Sequence, residues 1–299
     1  MPEWLMSALT AVLSLLMALT SSGVTALNDP PEPPVIPDTP DAMTQEITVM
    51  SFNIWTDIGS IGARMNGVLE TIRSEMPDSF GLQEAHELWR WPLKRALQDA
   101  DTIGVAYGIA CNWGRYFGVQ EGTPIFYRKD RYDLVKQGVF WLSDRPRVAS
   151  VGWDAALPRI AGYAVLRDKE TGFTYVHFNA HFDHVGATAR ANSARLIADR
   201  INAMGLPAVF TADVNAGPAS LPAQYLAAGG LTDLRDAANS TDTGGTFHGY
   251  GGGGGSVIDY VYANHYLRDA AEFKVIRDEY DGMYPSDHFA VAATFTLAN

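Results

Sequence analysis

Residues 207–215 have the sequence PAVFTADVN, a short apolar run with Asp213 and Asn215 directly after it. The run is rich in β-formers and follows Pro207, so we expect a strand over 207–213. An Asp or Asn at the end of a strand is usually a turn former. In sheet-based enzymes, however, such positions gather at the edge where loops meet and side chains converge on a cleft.

The same pattern recurs in the other predicted strands. Strands are expected over 47–54, 78–84, 174–180, 257–263 and 288–297. Each of them has a polar side chain within it or directly next to it. The residues in these positions are Asn53, Glu84, His181, Asp259, Asp287 and His288. Because the pattern is repeated so often along one chain, we expect these side chains to meet at one site.

Helices and hairpin-length turns are interspersed along the chain. Apolar spacing predicts helices over 62–76, which Pro77 follows, and over 189–204. The segment 125–142 is predicted to form two strands with a turn at Lys129 and Asp130, and 163–166 to pair with 174–180 through the turn 169–172. The glycine run 249–255 is expected to be a loop tip. This pattern predicts mixed sheets with covering helices.

The composition is that of a globular protein that is acidic overall. The chain has 299 residues, 47% of them hydrophobic, and a formal net charge of −12. Such a charge disfavours non-specific binding to a long polyanion, although a metal ion and a few local arginines can still attract one phosphate. Cys111 is the only cysteine, so no intramolecular disulfide can form, and we expect a small buried thiol.

The N-terminus has the features of an export signal. Residues 4–20 are apolar and 24–26 form a small-x-small site, which predicts a signal peptide over 1–26 cut after Ala26. Glu3 stands where positive charge is usual, so an uncleaved membrane anchor is the alternative. Residues 27–45 are rich in proline and should form a linker, followed by one domain over 46–299. We therefore expect a secreted or periplasmic protein.

The polar residue types fit hydrolysis of a phosphate ester. This reaction needs a hard cation, a group that positions water, and donors to the phosphate oxygens. Asn and carboxylate oxygens suit Mg²⁺, Mn²⁺ or Ca²⁺. A histidine with an aspartate partner supplies an oriented donor. No Cys/His zinc spacing, GxSxG motif or Walker-type loop occurs in the sequence, which disfavours zinc proteases, α/β-hydrolases and P-loop enzymes.

Several motifs occur in a specific order. They are FNI, LQE, a strand ending in a histidine, DxN, IDY and SDH, and they extend from about Ile47 to Phe295. In this order they resemble the endonuclease/exonuclease/phosphatase (deoxyribonuclease I-like) superfamily, and segments such as GTFHGY and YPSDHFAV resemble a bacterial secreted branch of it. The resemblance implies a four-layer α/β sandwich (in the α+β sense), with two mixed β-sheets packed face to face and helices on the outer faces.

The resemblance also implies a metal centre. Asn53 and Glu84 would lie at the metal, with Glu84 as the principal ligand. Asp287 would lie beside it or at a second-metal position. The cofactor it implies is Mg²⁺, with Mn²⁺ or Ca²⁺ as alternatives.

Catalytic roles follow from the same resemblance. Asp213 would activate or orient the attacking water, and Asn215 would hold the scissile phosphate. His288 would donate to the phosphate oxygens, with Asp259 fixing its tautomer. The usual GDFN motif is changed at Ala212 and Val214, but neither functional side chain is lost.

A second histidine–carboxylate pair is implied by the deoxyribonuclease-like members. His181 would be its histidine and Glu121 its partner, and Arg159 would contact the phosphate. His184 could face the substrate or lie at the surface, and His248 could line the cleft or lie elsewhere. Trp55, Trp141 and Trp153 could offer a stacking platform, although core packing is the commoner fate of tryptophan.

The leading functional hypothesis is a phosphodiesterase that acts on a small or lipid-like phosphodiester, or a phosphatase of similar scope. The alternatives are a secreted nuclease, a sphingomyelinase-like phospholipase C and a non-catalytic metal-binding module. We expect a monomer with no stable protein partner and with a phosphodiester or phosphomonoester substrate. Nucleic acid is a possible substrate that the net charge does not favour.

Overall fold

A computed structural model describes residues 43–85, 87–99, 104–111, 114–116, 119–242, 244–251 and 255–299. The predicted signal peptide and residues 27–42 of the predicted linker lie outside these ranges. The first strand begins at Thr44, two residues ahead of the predicted domain start at 46. No helix in the described ranges is long and apolar enough to cross a membrane.

The described chain contains strands with helices interspersed, and β3 to β9 follow one another without a helix between them. The strands are β1 (Thr44–Asn53), β2 (Ser79–Gln83), β3 (Tyr107–Ala110), β4 (Gly114–Tyr116), β5 (Val119–Glu121), β6 (Ile125–Arg128), β7 (Tyr132–Trp141), β8 (Ile160–Asp168), β9 (Thr174–His181), β10 (Ala208–Asp213), β11 (Thr232–Asp233), β12 (Asp259–Ala263), β13 (Leu267–Ile276) and β14 (Ala290–Ala298). The helices are α1 (Ile61–Glu75), α2 (Glu87–Gln98), α3 (Ala187–Met204), α4 (Leu221–Ala228) and α5 (Leu234–Ala237), with a 3₁₀ turn at Ile58–Ser60.

Two six-stranded sheets form the body of the protein. The first sheet has the strand order β13-β14-β1-β2-β6-β3, and the second has the order β11-β12-β10-β9-β8-β7. Both sheets are mixed, because β1 and β2 pair in parallel, as do β9 and β10, while the remaining pairs are antiparallel. β4 and β5 form a separate two-stranded ribbon.

Three layers of apolar side chains hold the sheets and helices together, one between the two sheets and one between each sheet and its helices. The middle layer joins the inner faces of both sheets, with Val49 and Phe295 from the first and Leu166 and Val261 from the second. One outer layer packs α1 and α2 on the first sheet, and the other packs α3 on the second. Helices therefore cover both outer faces, which confirms the four-layer α/β sandwich.

The strand directions bring the polar strand ends to one edge. In the parallel pair β9–β10, His181 lies opposite Asp213, and the antiparallel β12 starts there with Asp259 opposite Asp213. Asn53 at the end of β1 lies opposite Gln83, next to Glu84. Carboxyl ends of parallel strands and amino ends of their antiparallel neighbours share an edge, so all these side chains face the same cleft.

Buried polar side chains also connect the two sheets. His177 Nδ1 lies 2.8 Å from Ser79 Oγ, and its Nε2 lies 2.9 Å from Thr211 Oγ1. Thr211 Oγ1 donates to Asn179 Oδ1 at 3.0 Å, and Gln83 Nε2 donates to the same oxygen at 2.7 Å. Such a fully buried network is stable only when its members are paired, so it fixes the register of one sheet against the other.

The predicted helices and strands are present, and one short connection crosses between the sheets. The helices predicted over 62–76 and 189–204 are α1 and α3. The turn at Lys129 and Asp130 does not close a hairpin, because β6 belongs to the first sheet and β7 to the second. This short turn carries the chain across the sandwich. The elements that were not predicted from the sequence are helices α2, α4 and α5 and strands β3, β4, β5, β11 and β13.

The single cysteine has the predicted setting. Cys111 is buried, and its Sγ donates to the carbonyl of Tyr163. Burial raises the pKa of its thiol to about 12, so the thiolate is scarce at neutral pH. Cys111 is therefore an inert thiol that packs between the sheets.

Candidate active site

A cleft of about 520 Å³ opens at the edge where the strand ends meet. Most of the predicted site residues line it: Glu84, Arg159, His181, Asp213, Asn215, Asp287 and His288. Its apolar lining includes Trp55, Leu157, Phe247 and Ile258. Asn53 and Asp259 lie directly behind this surface and are buried. The side chain of Glu121 lies outside the described residues, so its predicted pairing with His181 stays a prediction.

His288 lies between two aspartates. Its Nδ1 is 2.9 Å from Asp259 Oδ2, and its Nε2 is 3.9 Å from Asp213 Oδ2. Burial alone lowers the pKa of His288, but the charge and hydrogen bond of Asp259, and then Asp213, raise it to about 10. The imidazole is therefore held in its cationic form at neutral pH, with Nε2–H directed into the cleft.

Asp213 is oriented by its neighbours on both oxygens. Asn53 Nδ2 donates to Oδ2 at 2.9 Å, and the backbone N–H of Asn215 donates to Oδ1 at 2.8 Å. Asn215 has a left-handed backbone, with φ 51°. Its Nδ2 donates to the carbonyl of Phe182 at 3.0 Å and lies 3.0 Å from His181 Nε2. These bonds fix the DxN turn rigidly at the cleft.

His181 is held at both ring nitrogens. Its Nε2 lies 3.4 Å from Asp213 Oδ2, and its Nδ1 lies 2.9 Å from Arg159 Nη1. Arg159 also reaches His184, with Nη2 3.3 Å from Nδ1. His184 is exposed and lines the cleft, and its contact with substrate stays a prediction. Arg159 and the two histidines form the polar wall of the cleft.

Glu84 and Asp287 form the acidic part of the cleft. Glu84 Oε1 accepts from Asn53 Nδ2 at 3.2 Å, and Oε2 accepts from the backbone of Thr56 at 2.9 Å. Burial, and to a lesser extent the charge of Glu84, raise the pKa of Asp287. The repulsion between these two carboxylates is what a divalent cation would relieve, and their hard oxygens suit Mg²⁺.

Asn53, which the sequence predicts to lie at the metal, forms hydrogen bonds within the site. Its nitrogen faces Glu84 and Asp213, and its oxygen accepts from the N–H of Trp55 at 3.0 Å. It therefore spaces the two carboxylates. A second group that could hold an ion consists of Asp213, Asp259 and His288, whose ligand atoms lie within 4.8 Å of one another. In that group His288 Nδ1 is already bonded to Asp259.

Of the three tryptophans and His248, which the sequence left open, only Trp55 lines the cleft. Trp55 lines the cleft, whereas Trp141 is buried and Trp153 does not line the cleft. His248 is also buried and does not line the cleft. Its ring stacks on Phe289 with centroids 4.0 Å apart, and its backbone N–H donates to the carbonyl of Asp287 at 2.9 Å. His248 thus anchors the glycine loop to the segment that carries Asp287.

Two supporting residues were missed from the sequence. Arg64 is 1% exposed and donates to the carbonyls of Ile54, Trp55, Asp57 and Pro285. Asp183 is 1% exposed and accepts from the backbone of Ala156, Leu157, Val185 and Gly186. The spacing of Arg64, Val68 and Ile72 places a charge on the apolar stripe of α1, so a signal for Arg64 was present.

Two mixed sheets with this carboxylate and histidine cleft at one edge define a metal-dependent phosphoester hydrolase of the sandwich type. A family model described as the Endonuclease/Exonuclease/phosphatase family matches residues 50–288. The chain belongs to that family.

Solved structures with the same fold support this assignment. An endonuclease/exonuclease/phosphatase family protein from Bacteroides thetaiotaomicron is 29% identical, with a TM-score of 0.73 over 85% of this chain and 99% of that one. The mannosyl-6-phosphatase Bt3783 of Bacteroides thetaiotaomicron is 28% identical, with a TM-score of 0.69 over 83% of this chain and 99% of that one. D. rerio TDP2, complexed with a single-strand DNA product, is 17% identical. Its TM-score is 0.66 over 84% of this chain and 99% of that one. No curated protein matches the chain.

Proposed function

We propose that this protein is an exported, divalent-metal-dependent hydrolase of small phosphoesters, in which water attacks phosphorus in line with the leaving oxygen. The main observation in support is the cleft of about 520 Å³. Its lining brings together Asp213, His288, His181 and Arg159 next to Glu84 and Asp287. That volume is typical of a small-molecule site.

The protein groups divide the work between the attacking water and the phosphate. Asp213, oriented by Asn53 and by the Asn215 backbone, accepts a proton from the water. His288, held cationic by Asp259, donates to a non-bridging oxygen and stabilises the charge that develops there. Asn215 and Arg159 hold the phosphate, and His181 links Asp213 to Arg159.

Glu84 and Asp287 would hold the metal ion, since both line the cleft and their like charges lie close enough to raise the pKa of Asp287. Mg²⁺ fits these oxygen donors, and Mn²⁺ fits them as well. When bound, the ion supplies positive charge next to the phosphate. Asn53 keeps Glu84 and Asp213 apart, so that one carboxylate serves the metal and the other the water.

Two substrate classes fit this cleft. The first is the small phosphodiester predicted from the sequence. The second is a sugar phosphate monoester, which is favoured by the 28% identity with a mannosyl-6-phosphatase. A nuclease ranks lower, because the net charge of −12 disfavours binding to a long polyanion. The similarity to D. rerio TDP2 supports the fold alone.

Turnover of three substrates tests the proposal. Residues 27–299 would be assayed with bis(p-nitrophenyl) phosphate, p-nitrophenyl phosphate and plasmid DNA in Mg²⁺ buffer, with a chelator control. We expect metal-dependent hydrolysis of one or both p-nitrophenyl esters and little nicking. Efficient nicking with little ester hydrolysis would make the protein a nuclease. Metal binding without any turnover would support the binding module instead.

The site of action follows from the N-terminal sequence. We propose export through the segment 1–26, with the mature protein acting as a monomer outside the cytoplasm. N-terminal sequencing of the protein recovered from an expressing bacterium should give Leu27 as the first residue. Retention of residues 1–26 in the membrane fraction would instead identify an uncleaved anchor.

A further inference from the structure

The cleft has an apolar side that the chemistry above does not use. Trp55, Leu157, Phe247 and Ile258 line it, and Leu157 and Phe247 are each 38% exposed. Exposed apolar side chains beside a reactive centre mark a binding surface when they are contiguous with the polar groups. We propose that Trp55 and Phe247 bind the alcohol part of the phosphoester and select a ring with an apolar face, as in a sugar. This inference rests on the proposed function.

Phe247 stands next to the group expected to contact the phosphate. Its ring centroid lies 4.9 Å from that of His288, with the planes inclined by 56°. The backbone of Phe247 forms bridges with both Ser256 and His288, so the ring has a fixed place beside the imidazole. An alcohol group joined to a phosphate at His288 would therefore extend along this ring.

Trp55 has a backbone conformation that requires support. Its φ is 55°, in the left-handed region, and the cleft residues Glu84 and Asn215 have φ values of 57° and 51°. Non-glycine residues in this region cost free energy and cluster where the surrounding structure holds them for function. Trp55 thus shares its unusual backbone with two residues of the reactive centre.

Three residues hold Trp55 in place. The N–H of Trp55 donates to Asn53 Oδ1 at 3.0 Å, and its carbonyl accepts from Arg64 Nη2 at 2.9 Å. The guanidinium carbon of Arg64 lies 4.8 Å from the indole centroid. Tyr250, whose φ is 61°, lies 5.1 Å away in an edge-on arrangement. Arg64 is therefore a positioning residue that keeps the indole at the cleft.

The remaining cleft groups favour a sugar over a hydrocarbon chain. His184 lines the same cleft, and an imidazole can form hydrogen bonds with hydroxyl groups. A ring with a C–H face and hydroxyl edges matches both kinds of surface, since aromatic rings bind apolar faces through dispersion. An acyl chain has no group that forms a hydrogen bond with His184.

Competitive inhibition tests the subsite. Glucose 6-phosphate and glycerol 3-phosphate would be compared as inhibitors of p-nitrophenyl ester hydrolysis by the wild-type protein and the Phe247→Ala and Trp55→Ala variants. We expect the wild type to bind the hexose ester more tightly. In each variant that preference should fall by about 3- to 10-fold, as expected for one lost ring contact, while inhibition by glycerol 3-phosphate changes less than about twofold.

Two controls separate this inference from the proposed function. Trp91→Ala removes an exposed aromatic side chain on α2 that does not line the cleft, and it should keep the wild-type preference. An unchanged preference in Phe247→Ala and Trp55→Ala, or equal weakening of both inhibitors, would overturn the subsite alone. Failure to hydrolyse any phosphoester would overturn the proposed function, and the subsite with it.

Discussion

The amide nitrogen of Asn53 donates a hydrogen bond to Asp213 Oδ2 over 2.9 Å. This bond joins the end of β1 in the first sheet to the end of β10 in the second, at the floor of the cleft. The same nitrogen reaches Glu84 at 3.2 Å. Because one buried amide lies between the two carboxylates, the spacing between Asp213 and Glu84 depends on how the sheets pack.

Replacing Asp213 by Asn should remove the proposed proton acceptor with little change of shape. We expect the rate to fall roughly 10²- to 10⁴-fold, the usual contribution of general base catalysis, with an unchanged circular dichroism spectrum. The matched control is Asp199→Asn, which neutralises an exposed carboxylate on α3 and should keep wild-type rates. Full activity in Asp213→Asn would contradict the mechanism.

Replacing Asp259 by Asn should change the pH dependence of the reaction. The Asp259 carboxylate overcomes the effect of burial and raises the pKa of His288 to about 10. His288 is thus protonated below that pH and loses its proton, and its donor role, above it. Without the carboxylate its pKa falls, so the alkaline limb of the pH–rate profile should move down by at least about one unit. An unmoved limb would show that His288 is not the group titrating there.

Replacing Glu84 by Gln should weaken the metal site. A neutral amide is a poorer ligand for a hard divalent ion, so the Mg²⁺ concentration for half-maximal activity should rise roughly 10- to 100-fold. Calorimetric titration with Mg²⁺ measures the same loss without turnover. Glu170→Gln, at an exposed turn, is the control. Equal Mg²⁺ affinity in the Glu84→Gln and Glu170→Gln proteins would exclude Glu84 as a ligand.

The buried His177 should make the fold sensitive to acid. Burial lowers its pKa to about 3, whereas the unfolded chain takes up the proton near pH 6.5. A depressed folded-state pKa means that the unfolded state binds more protons between these values. The stability from this group is therefore fully present above about pH 6.5 and falls as the pH drops toward 3, by up to roughly 5 kcal/mol.

Urea unfolding between pH 7 and pH 4 measures this contribution. His177→Gln keeps a polar side chain between Ser79 and Thr211 and cannot take up a proton. The free energy of unfolding of the variant should therefore fall less steeply with acid than that of the wild type, by as much as about 1.4 kcal/mol per pH unit. Parallel slopes would mean that His177 carries its proton in the folded state.

Much of the site could be predicted because strand ends can be located in the sequence. Asn53, Glu84, His181, Asp213 and Asp259 lie at strand ends, and alternation of apolar and turn residues marks those ends. The short turn at Lys129 could be predicted, but not that it connects the two sheets, because local patterns show that a strand ends there and not which sheet the next strand joins. The aromatic lining at Phe247 lies in a loop, where no periodic pattern exists.

By itself, the sequence determined the class of fold, the family and the polar residues of the reactive centre, because these depend on periodicity and on motifs in a fixed order. Only the tertiary structure decided which side chains meet. Asn53 donates to both Glu84 and Asp213, the guanidinium of Arg64 lies over the ring of Trp55, and the ring of His248 stacks on Phe289. The reason is that these contacts join segments far apart in the chain. Their geometry depends on how the two sheets pack, which local sequence does not encode.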